Sequence, residues 1–297
     1  MNHEPVLLHE VVTGLDLQPG LTVLDGTLGS GEHARAISEK IGRDGLLIGF
    51  DVDPEAISRA ERNLANLPCR TIFRTGNFRA TGSHLNTLGI NNVDRAFLDL
   101  GLSSLQLADP IRGFSFQGDG PLLMTLNGKN EGGLNAARLV NELSAPQLTD
   151  LLTRYGEESH ARRIAEALVA ARHATPILTT YQLVSVIERA VPKGYHFTRK
   201  HFATKTFQAL RIATNDELGA LTDGLLDIWS ILTLGGRLAV ISFHSLEARI
   251  VKRQFQNWAR LGEGQILTKH AIRPKRGEEL RNPRSRSATL RIISKIK

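Results

Sequence analysis

The sequence predicts an α/β fold in which a mostly parallel sheet is interrupted by a helical domain. Three observations lead to this prediction. In roughly the first hundred residues, short apolar runs alternate with helix-like segments, as expected of parallel strands joined by crossover helices. Loop-like and then helical sequence fills about the next hundred. The β-branched apolar run LGGRLAVISF at 234–243 then returns to strand. The sheet should therefore resume after the insert.

These patterns divide the chain into three parts. The first part of the α/β core covers residues 1–105, a helical insert covers 106–206, and the second part of the core with a basic C-terminal segment covers 207–297. The 297 residues are 41% hydrophobic and 23% charged, which is the balance of a globular protein. No apolar run reaches the length of a membrane span, so no membrane association is expected.

The core elements follow from local signals. Apolar runs at 21–26, 45–51, 69–77 and 93–101 predict four strands. Helix-like segments lie between them at 33–41 and 54–65. The second of these helices begins with proline after an aspartate, a favoured start. After the fourth strand, residues 102–135 are rich in Gly, Asp, Asn and Ser and predict a loop.

The insert carries clear helix signals. SAPQ at Ser144 and TTYQ at Thr179 both have the form of a capping box. Between them, apolar residues recur at helical spacing through Ile164 and Leu168. Residues 207–232 predict one or two further helices, and the glycine pair at 235–236 predicts a turn before the last core strand.

The charge is concentrated near the C-terminus. The whole chain carries a formal net charge of +7, but Arg249–Lys297 holds 14 Lys and Arg against three acids, a balance of +11. The rest of the chain is slightly acidic. A solvated basic tail is one interpretation. A folded surface for an anionic partner is the other, and the strand-like TLRIIS near the end favours it.

A Gly-rich turn follows the first strand in the sequence DGTLGSG, with Asp25, Gly29 and Gly31. Such a turn lets the backbone approach a ligand closely. Asp51 closes the second strand, where a carboxylate can accept the hydroxyl hydrogens of a ribose. The glycine spacing is not that of a dinucleotide site, and no Gly-Lys-Ser/Thr sequence of a P-loop occurs. The D-x-x-x-G-x-G form resembles the first motif of the S-adenosylmethionine-dependent methyltransferases. A purely structural tight turn is the alternative.

The fourth strand ends in DLGLSSLQ, where an open parallel sheet binds its substrate. Asp99 could accept a hydrogen bond from a substrate amine and keep that role as positive charge develops on the nitrogen. Capping of the strand turn is the alternative. Ser103 and His244, which ends the last core strand, are further catalytic candidates. A serine hydrolase built on this pair would lack the G-x-S-x-G elbow.

The single cysteine limits the chemistry in two ways. Cys69 alone cannot form an internal disulfide framework or a multi-cysteine zinc site. We therefore expect no metal site and a reducing, cytoplasmic compartment. Pro68-Cys69 resembles the nucleophile pair used to methylate pyrimidine C5, but it precedes the third strand. It should lie at the wrong end of the sheet.

Taken together, the motifs resemble the bacterial 16S rRNA (cytosine(1402)-N(4))-methyltransferases, the MraW family, and their mitochondrial relatives. The resemblance runs nearly end to end. The segments that carry it are EPVLLHEVV, DGTLGSGEH, GFDVDPEAI, FLDLGLSSLQL, RGFSF, DGPL, RYGEESHARRIA, ATKTFQALRI, GGRLAVISFHSLE, RIVKR and NPRSRSATLR. It implies a class I methyltransferase core, which is Rossmann-like, with an inserted all-helical substrate domain.

The resemblance also implies a reaction and its site. The reaction is methyl transfer from S-adenosylmethionine to N4 of a decoding-centre cytidine, with small-subunit ribosomal RNA or the small ribosomal subunit as partner. The implied cofactor contacts are Gly31, Glu32, His33, Asp51, Phe78, Asp99 and Gln106. The RNA-side candidates are Arg112, Arg273, Lys275, Arg276, Arg281, Arg284 and Arg286.

The chain departs from the family pattern at several positions. The turn holds Glu32 where the family has glycine. The family's L-D-M-R-M-D is here LLMTLN, at 122–127, and its SLEDR is SLEAR, with Ala248. The family's His-Pro-Ala-Thr is His-Phe-Ala-Thr at 201–204. These departures keep a second hypothesis open, in which the chain is a catalytically weakened rRNA-binding or ribosome-assembly protein.

Two other classes of methyltransferase fit the sequence less well. A methyltransferase for DNA would usually carry an aromatic-proline motif after the fourth strand, which DLGLSS lacks. A small-molecule methyltransferase would not need the helical insert and the basic segment. The sequence does not fix the oligomeric state and leaves a homodimer open.

Overall fold

The computed structural model describes residues 5–128, 133–197 and 201–297. Within them the chain forms two compact units. Unit 1 comprises residues up to Gly101 together with Leu218–Lys297, and unit 2 comprises Leu102–Glu217. The units thus begin and end at different residues from the proposed domain boundaries of 105/106 and 206/207. The second junction falls later because the helix at Thr204–Asn215 packs within unit 2.

The strands and helices have the following bounds. The strands are β1 (Thr22–Asp25), β2 (Leu46–Asp51), β3 (Arg70–Thr75), β4 (Val93–Asp99), β5 (Leu232–Ser242), β6 (Gly264–Ile266) and β7 (Thr289–Lys295). The helices are α1 (Leu8–Leu15), α2 (Glu32–Ile41), α3 (Pro54–Asn63), α4 (Thr81–Thr87), α5 (Ser104–Ala108), α6 (Ala136–Glu142), α7 (Ala145–Gly156), α8 (Ala161–Ala174), α9 (Thr180–Ala190), α10 (Thr204–Asn215), α11 (Glu217–Ile231), α12 (Ser245–Arg260) and α13 (Arg276–Arg281).

The described part of unit 1 is built on a sheet of seven strands in the order β3-β2-β1-β4-β5-β7-β6. The pairs among β1 to β5 are all parallel, whereas β7 is antiparallel to both β5 and β6. The α/β class with a mostly parallel sheet is therefore confirmed. The register matters for the site, because Thr289 at the start of β7 pairs with Ser242 at the end of β5.

Alternation along the strands gives the sheet a core on each face. On one face Val23, Leu47 and Phe97 pack with the buried side chains of α1, α2 and α3. On the other, their chain neighbours Leu24 and Leu98 pack with α11 and α12. Successive side chains of a strand point to opposite faces, so helices must cover both faces to bury these apolar runs.

The glycine pair at 235–236 was expected to form a turn before the last core strand. Instead, β5 already begins at Leu232 and the glycines lie within it. The register between β4 and β5 shifts between Val93 and Arg95, opposite this pair. Gly235 has φ +74°, a left-handed conformation that favours glycine. The glycines therefore make an irregularity inside the strand, of the kind that a β-bulge produces.

Unit 2 is helical, as predicted for the insert. Its core contains Leu148 and Leu152 of α7, Ile164 and Leu168 of α8, and Leu210 of α10, all buried. The capping boxes predicted before α7 and α9 are both present. The prediction of a loop at 102–135 is only partly correct. This stretch contains the short helix α5, and it contributes buried side chains to the core of unit 2.

Among the described helices, none combines the length and the apolar character that crossing a membrane would require.

Candidate active site

Three aspartates end three neighbouring strands of unit 1. Asp25 ends β1, Asp51 ends β2 and Asp99 ends β4. Because β2, β1 and β4 are adjacent and parallel, their carboxyl ends meet at one edge of the sheet. This is where open α/β sheets bind ligands. The structure thus brings together the acids that the sequence assigned to cofactor and substrate.

The Gly-rich turn between β1 and α2 is tied to this edge by a hydrogen bond from its main chain to a side-chain carboxylate. Gly29 N–H donates to Oδ2 of Asp51 at 2.9 Å. Gly31 precedes α2 with φ +90°, and a Cβ atom at this position would lie 2.6 Å from Cδ1 of Leu64. Glycine is therefore required at position 31 for conformational and steric reasons alike.

The Asp51 carboxylate is shared between the turn and the next helix. Its Oδ1 accepts from the N–H of Asp53 at 2.9 Å, and Asp53 in turn caps α3. Burial raises the pKa of Asp51 above its ordinary value. Each carboxylate oxygen has two lone pairs, so both retain capacity to accept further hydrogens, as a ribose diol would provide.

Asp99 has a carboxylate that is only partly satisfied. Its N–H donates to Oγ1 of Thr27 at 2.6 Å, which fixes the backbone against the turn. The side chain is 25% exposed, yet its Oδ1 is buried without a hydrogen-bond partner. Burial raises the pKa of Asp99 well above its ordinary value, and the charges of Asp25, Glu247 and Glu32 add smaller increases. A buried acceptor without a partner is costly unless a ligand satisfies it.

His33, in the first turn of α2, lies beside Asp99. It is buried, and its ring packs against Phe97 with centroids 4.7 Å apart. Nε2 is 3.0 Å from the Val6 carbonyl oxygen, and Nδ1 is 3.9 Å from Oδ2 of Asp99. A carbonyl can only accept, so Nε2 must carry a proton. Nδ1 is the ring nitrogen that faces Asp99.

Asp25, directly before the Gly-rich turn, is a site residue for which the sequence predicts no role. It is 1% exposed, and its Oδ1 accepts from Thr27 N–H at 3.1 Å. Burial, with smaller contributions from Asp51 and Glu32, raises its pKa to about 7. Its position directly before the Gly-rich turn was a signal in the sequence, but the depth of its burial was not.

We predict that Asp25→Asn stabilises the protein increasingly as pH rises. When folding raises the pKa of an acid, its ionised form destabilises the folded state. This penalty grows as the pH rises from the unfolded pKa, here 3.8, to the folded pKa, here about 7. Asparagine is neutral and keeps an oxygen for Thr27. The gain in free energy of unfolding should grow by roughly 2–3 kcal/mol between pH 5 and pH 8. Denaturant unfolding at both pH values measures it.

The exposed Asp44 provides the control, since Asp44→Asn removes the same charge outside the core. Its free energy of unfolding should change by less than about 0.5 kcal/mol at either pH. A stability gap between Asp25→Asn and the wild type that stays constant with pH would contradict the assignment of a near-neutral pKa to Asp25.

His244 and Glu247 stabilise the start of α12. His244 is the N-cap: its Nδ1 accepts from Glu247 N–H at 3.4 Å, while Glu247 Oε2 accepts from Phe243 N–H at 2.8 Å. The buried Glu247 was not singled out from the sequence, although its charge acts on Asp99. The cap accounts for the position of the His244 ring. The catalytic role of His244 stays a prediction.

Ser103, Gln106 and Arg112 belong to unit 2. Ser103 Oγ accepts from Gln106 N–H, and Gln106 Oε1 accepts from Ser103 N–H, both at 3.1 Å, so the pair forms the capping box of α5. Arg112 is buried, and its Nη1 donates to the carbonyls of Thr125 and Leu126. In this conformation Arg112 therefore binds main-chain oxygens of the LLMTLN segment instead of presenting a free guanidinium.

Phe78 and Cys69 lie at opposite ends of β3. Phe78 follows its carboxyl end, begins a single 3₁₀ turn and is partly buried against the α11 side of the core. Cys69 directly precedes β3 and is buried, which raises the pKa of its thiol. The expectation that the cysteine lies away from the carboxyl ends of the strands is confirmed.

The six predicted basic residues of the C-terminal segment are all exposed. They lie on and around α13 and on the 3₁₀ turn Pro283–Ser287. Because β7 begins opposite the end of β5, the turn before it lies at the same sheet edge as Asp25, Asp51 and Asp99. The six predicted residues are Arg273, Lys275, Arg276, Arg281, Arg284 and Arg286.

The sheet order, the Gly-rich turn and the acids at the strand ends define a class I, Rossmann-like methyltransferase fold with a helical insert. Comparison with known families identifies the chain more closely. The model of the MraW methylase family matches residues 1–296. The chain belongs to this family.

Curated relatives match over nearly their whole length. The chain is 43% identical to ribosomal RNA small subunit methyltransferase H of Syntrophotalea carbinolica, covering 99% of this chain and 98% of the relative. It is 45% identical to the protein of the same name from Geobacter sulfurreducens, with 99% of both chains covered. With the protein of that name from Deinococcus radiodurans it shares 46% identity over 98% of this chain and 89% of the relative.

Solved structures are more distant. An rRNA methylase from Streptococcus thermophilus aligns over 100% of this chain and 99% of its own, with 10% identity and a TM-score of 0.43. TrmN from Thermus thermophilus aligns over 98% of this chain and 45% of its own, with 13% identity and a TM-score of 0.46.

Proposed function

We propose that this protein transfers a methyl group from S-adenosylmethionine to N4 of a cytidine in small-subunit ribosomal RNA, at the position numbered 1402 in 16S rRNA. The observation that carries the proposal is the buried, unpartnered Oδ1 of Asp99 at the carboxyl end of β4. It provides an acceptor where a substrate amine would need one. The curated relatives, named as small-subunit rRNA methyltransferases, support the substrate class.

The residues present fit the cofactor. Asp51 can accept from ribose hydroxyls, and the Gly-rich turn lies directly beside it, with the Gly29 N–H bound to its Oδ2. Asp25, Glu32 and Asp99 are near enough to influence one another's ionisation, so this edge favours the cationic groups of S-adenosylmethionine. Gly31, Glu32, His33, Asp51, Phe78, Asp99 and Gln106 would hold it. When bound, the cofactor supplies an electrophilic methyl group.

The chain's own residues then have two tasks. Asp99 accepts a hydrogen bond from the N4 amino group and so orients the nitrogen lone pair. As N4 gains positive charge, the Asp99 carboxylate stabilises that charge and takes the released proton. The Thr27 hydroxyl fixes the Asp99 backbone at 2.6 Å and keeps the carboxylate in place. Ser103 and His244 remain the further catalytic candidates.

The basic segment would hold the RNA. N4 lies on the Watson–Crick edge of cytosine, so the base must be unpaired or flipped out to react. The six exposed Arg and Lys residues of the C-terminal segment would bind backbone phosphates at the same edge as the acids. Arg112 is proposed as an RNA contact only if it leaves its carbonyl partners. A ribosomal substrate is consistent with the cytoplasmic location predicted from the sequence.

The function can be tested with small ribosomal subunits from cells that lack this methylation. The purified protein and isotopically labelled S-adenosylmethionine should transfer one methyl per subunit, and nuclease digestion with mass spectrometry should place it on cytidine N4. Transfer to C5 or to another nucleotide would contradict the N4 assignment. Subunits already methylated at this position are the negative control.

The weakened-enzyme hypothesis is favoured by one set of observations. Glu32 is the first residue of α2, directly after the Gly-rich turn, and helps to raise the pKa of Asp99. The chain also departs from the family at Leu123, Thr125, Asn127 and Ala248. Calorimetry with S-adenosylmethionine followed by the transfer assay separates the two hypotheses. Cofactor binding without transfer would favour the assembly protein. Restored transfer in Glu32→Gly would assign the defect to the turn.

A further inference from the structure

Residues 5–7, which precede α1, form a short segment that we call the N-terminal strap. The strap is held at two points within unit 1. The Val6 carbonyl accepts from Nε2 of His33 at 3.0 Å. The Leu7 N–H donates to Oε1 of Glu278 at 2.9 Å. The strap therefore connects the first turn of α2, at the cofactor side of the site, with α13 in the basic segment.

The conformation of the strap depends on its surroundings. Leu7 has φ 53° and ψ 32°, the left-handed region that leucine rarely adopts. Such a backbone persists only where the surrounding structure determines it. Here the Leu7 side chain is 1% exposed in the core, and its N–H is bound by a carboxylate. Without Glu278, this amide would lose the charged acceptor that fixes its direction.

We propose that Glu278 is a positioning residue that acts through the strap. By holding Leu7, it keeps the Val6 carbonyl against His33, and the His33 ring is thereby held with Nδ1 3.9 Å from Asp99. The proposal rests on the proposed function in placing His33 and Asp99 at the cofactor. An ordinary surface acid on a short helix would have no effect on that site.

The strap also connects the proposed RNA-binding surface with the proposed cofactor site. Glu278 lies on α13 between Arg276 and Arg281, which are exposed and proposed to contact RNA. RNA bound to Arg276 and Arg281 would restrict the motion of the same short helix that holds the strap. Binding of RNA should therefore strengthen cofactor binding, and by thermodynamic reciprocity cofactor should strengthen RNA binding to the same degree.

Three variants test the positioning role. Glu278→Ala removes the acceptor, Glu278→Gln keeps an acceptor oxygen without charge, and Glu279→Ala removes the same charge from the neighbouring residue. Calorimetry with S-adenosylhomocysteine and no RNA should show about tenfold weaker binding for Glu278→Ala, the effect of losing one charge-assisted hydrogen bond. Glu278→Gln and Glu279→Ala should stay within about threefold of the wild type.

The pattern among the variants decides the outcome. Equal losses in Glu278→Ala and Glu279→Ala would show a general charge effect and overturn the proposal, as would an unchanged affinity in Glu278→Ala. Adding RNA should increase cofactor affinity in the wild type and not in Glu278→Ala. A wild type without this increase would overturn the link between the two partners.

Hydrogen exchange keeps the strap testable apart from the function. The Leu7 amide should exchange at least tenfold faster in Glu278→Ala than in Glu279→Ala, with Glu278→Gln close to the wild type. If the wild type fails to bind S-adenosylhomocysteine, the proposed function is wrong. The exchange rates then decide whether Glu278 holds the strap, and equal rates in all variants would overturn it.

Discussion

Replacing Asp99 by asparagine or alanine should lower the rate of methyl transfer by a factor of about 10² to 10⁴, while the protein stays folded. The size is that expected for loss of a positioned general base. Asp99 Oδ1 is buried and unpartnered, so the native fold does not need it as an internal acceptor. Single-turnover assays at saturating cofactor and small subunits measure the rate.

The stability of the same variants separates catalysis from folding. Burial raises the pKa of Asp99, so the charged form destabilises the folded state above the unfolded pKa of the residue. Asp99→Asn should therefore unfold at the same or a higher denaturant concentration than the wild type at pH 8. Glu55→Gln, which removes an exposed ion pair with Arg59 on α3, should leave the rate unchanged and lower the stability only slightly. Near-normal turnover in Asp99→Asn would remove Asp99 from the mechanism.

Asp99 also sets the expected pH dependence. The carboxylate must be ionised to accept the proton, and its pKa is raised by burial and by the neighbouring acids. The wild-type single-turnover rate should therefore rise with pH well above the range in which an ordinary aspartate ionises. A rate that is flat across neutral pH would contradict this role.

Neutralising four residues of the basic segment should weaken RNA binding by about two orders of magnitude near physiological salt. The changes are Arg273→Gln, Lys275→Gln, Arg284→Gln and Arg286→Gln. Each side chain that contacts a phosphate contributes roughly 0.7 to 0.9 to the slope of log affinity against log salt concentration. The slope should therefore fall by about three. Filter binding or fluorescence titration over a salt series measures both quantities.

A matched control removes the same charge from the opposite edge of the sheet. Lys40, Arg43, Arg62 and Arg70 are exposed and lie near the amino ends of β2 and β3. Their replacement by glutamine should change the slope by less than one. If the two quadruple variants behave alike, the RNA senses the net charge of the protein, and the proposed surface is wrong.

Local patterns predicted most of the fold. The apolar runs located β1, β2 and β4 because parallel strands buried on both faces are almost continuously apolar. β3 lies at the edge of the sheet and is mostly exposed, so its apolar signal is weaker. Helix starts at Ser144 and Thr179 were correct because capping boxes are local. The glycine pair of β5 was misplaced, since its effect depends on the register with β4. The direction of β7 was not predictable because it depends on pairing with a distant strand.

The site was predictable where position along a strand determines it. Asp51 and Asp99 end parallel strands and so had to meet at one edge. The other features of the site depend on burial and on long-range hydrogen bonds, which local sequence does not show. The sequence did not reveal that Arg112 binds the carbonyls of Thr125 and Leu126. It also gave no indication that Val6 would reach His33.

The strand order has a consequence for how the protein folds during translation. Strand β7 pairs with β5 inside the sheet, yet it is synthesised after the whole of unit 2. Unit 2 is a continuous stretch of chain, and domains usually fold as units during synthesis. We therefore expect the helical insert to fold on the ribosome first. The seven-stranded sheet that carries the three aspartates can be completed only after β7 has left the exit tunnel.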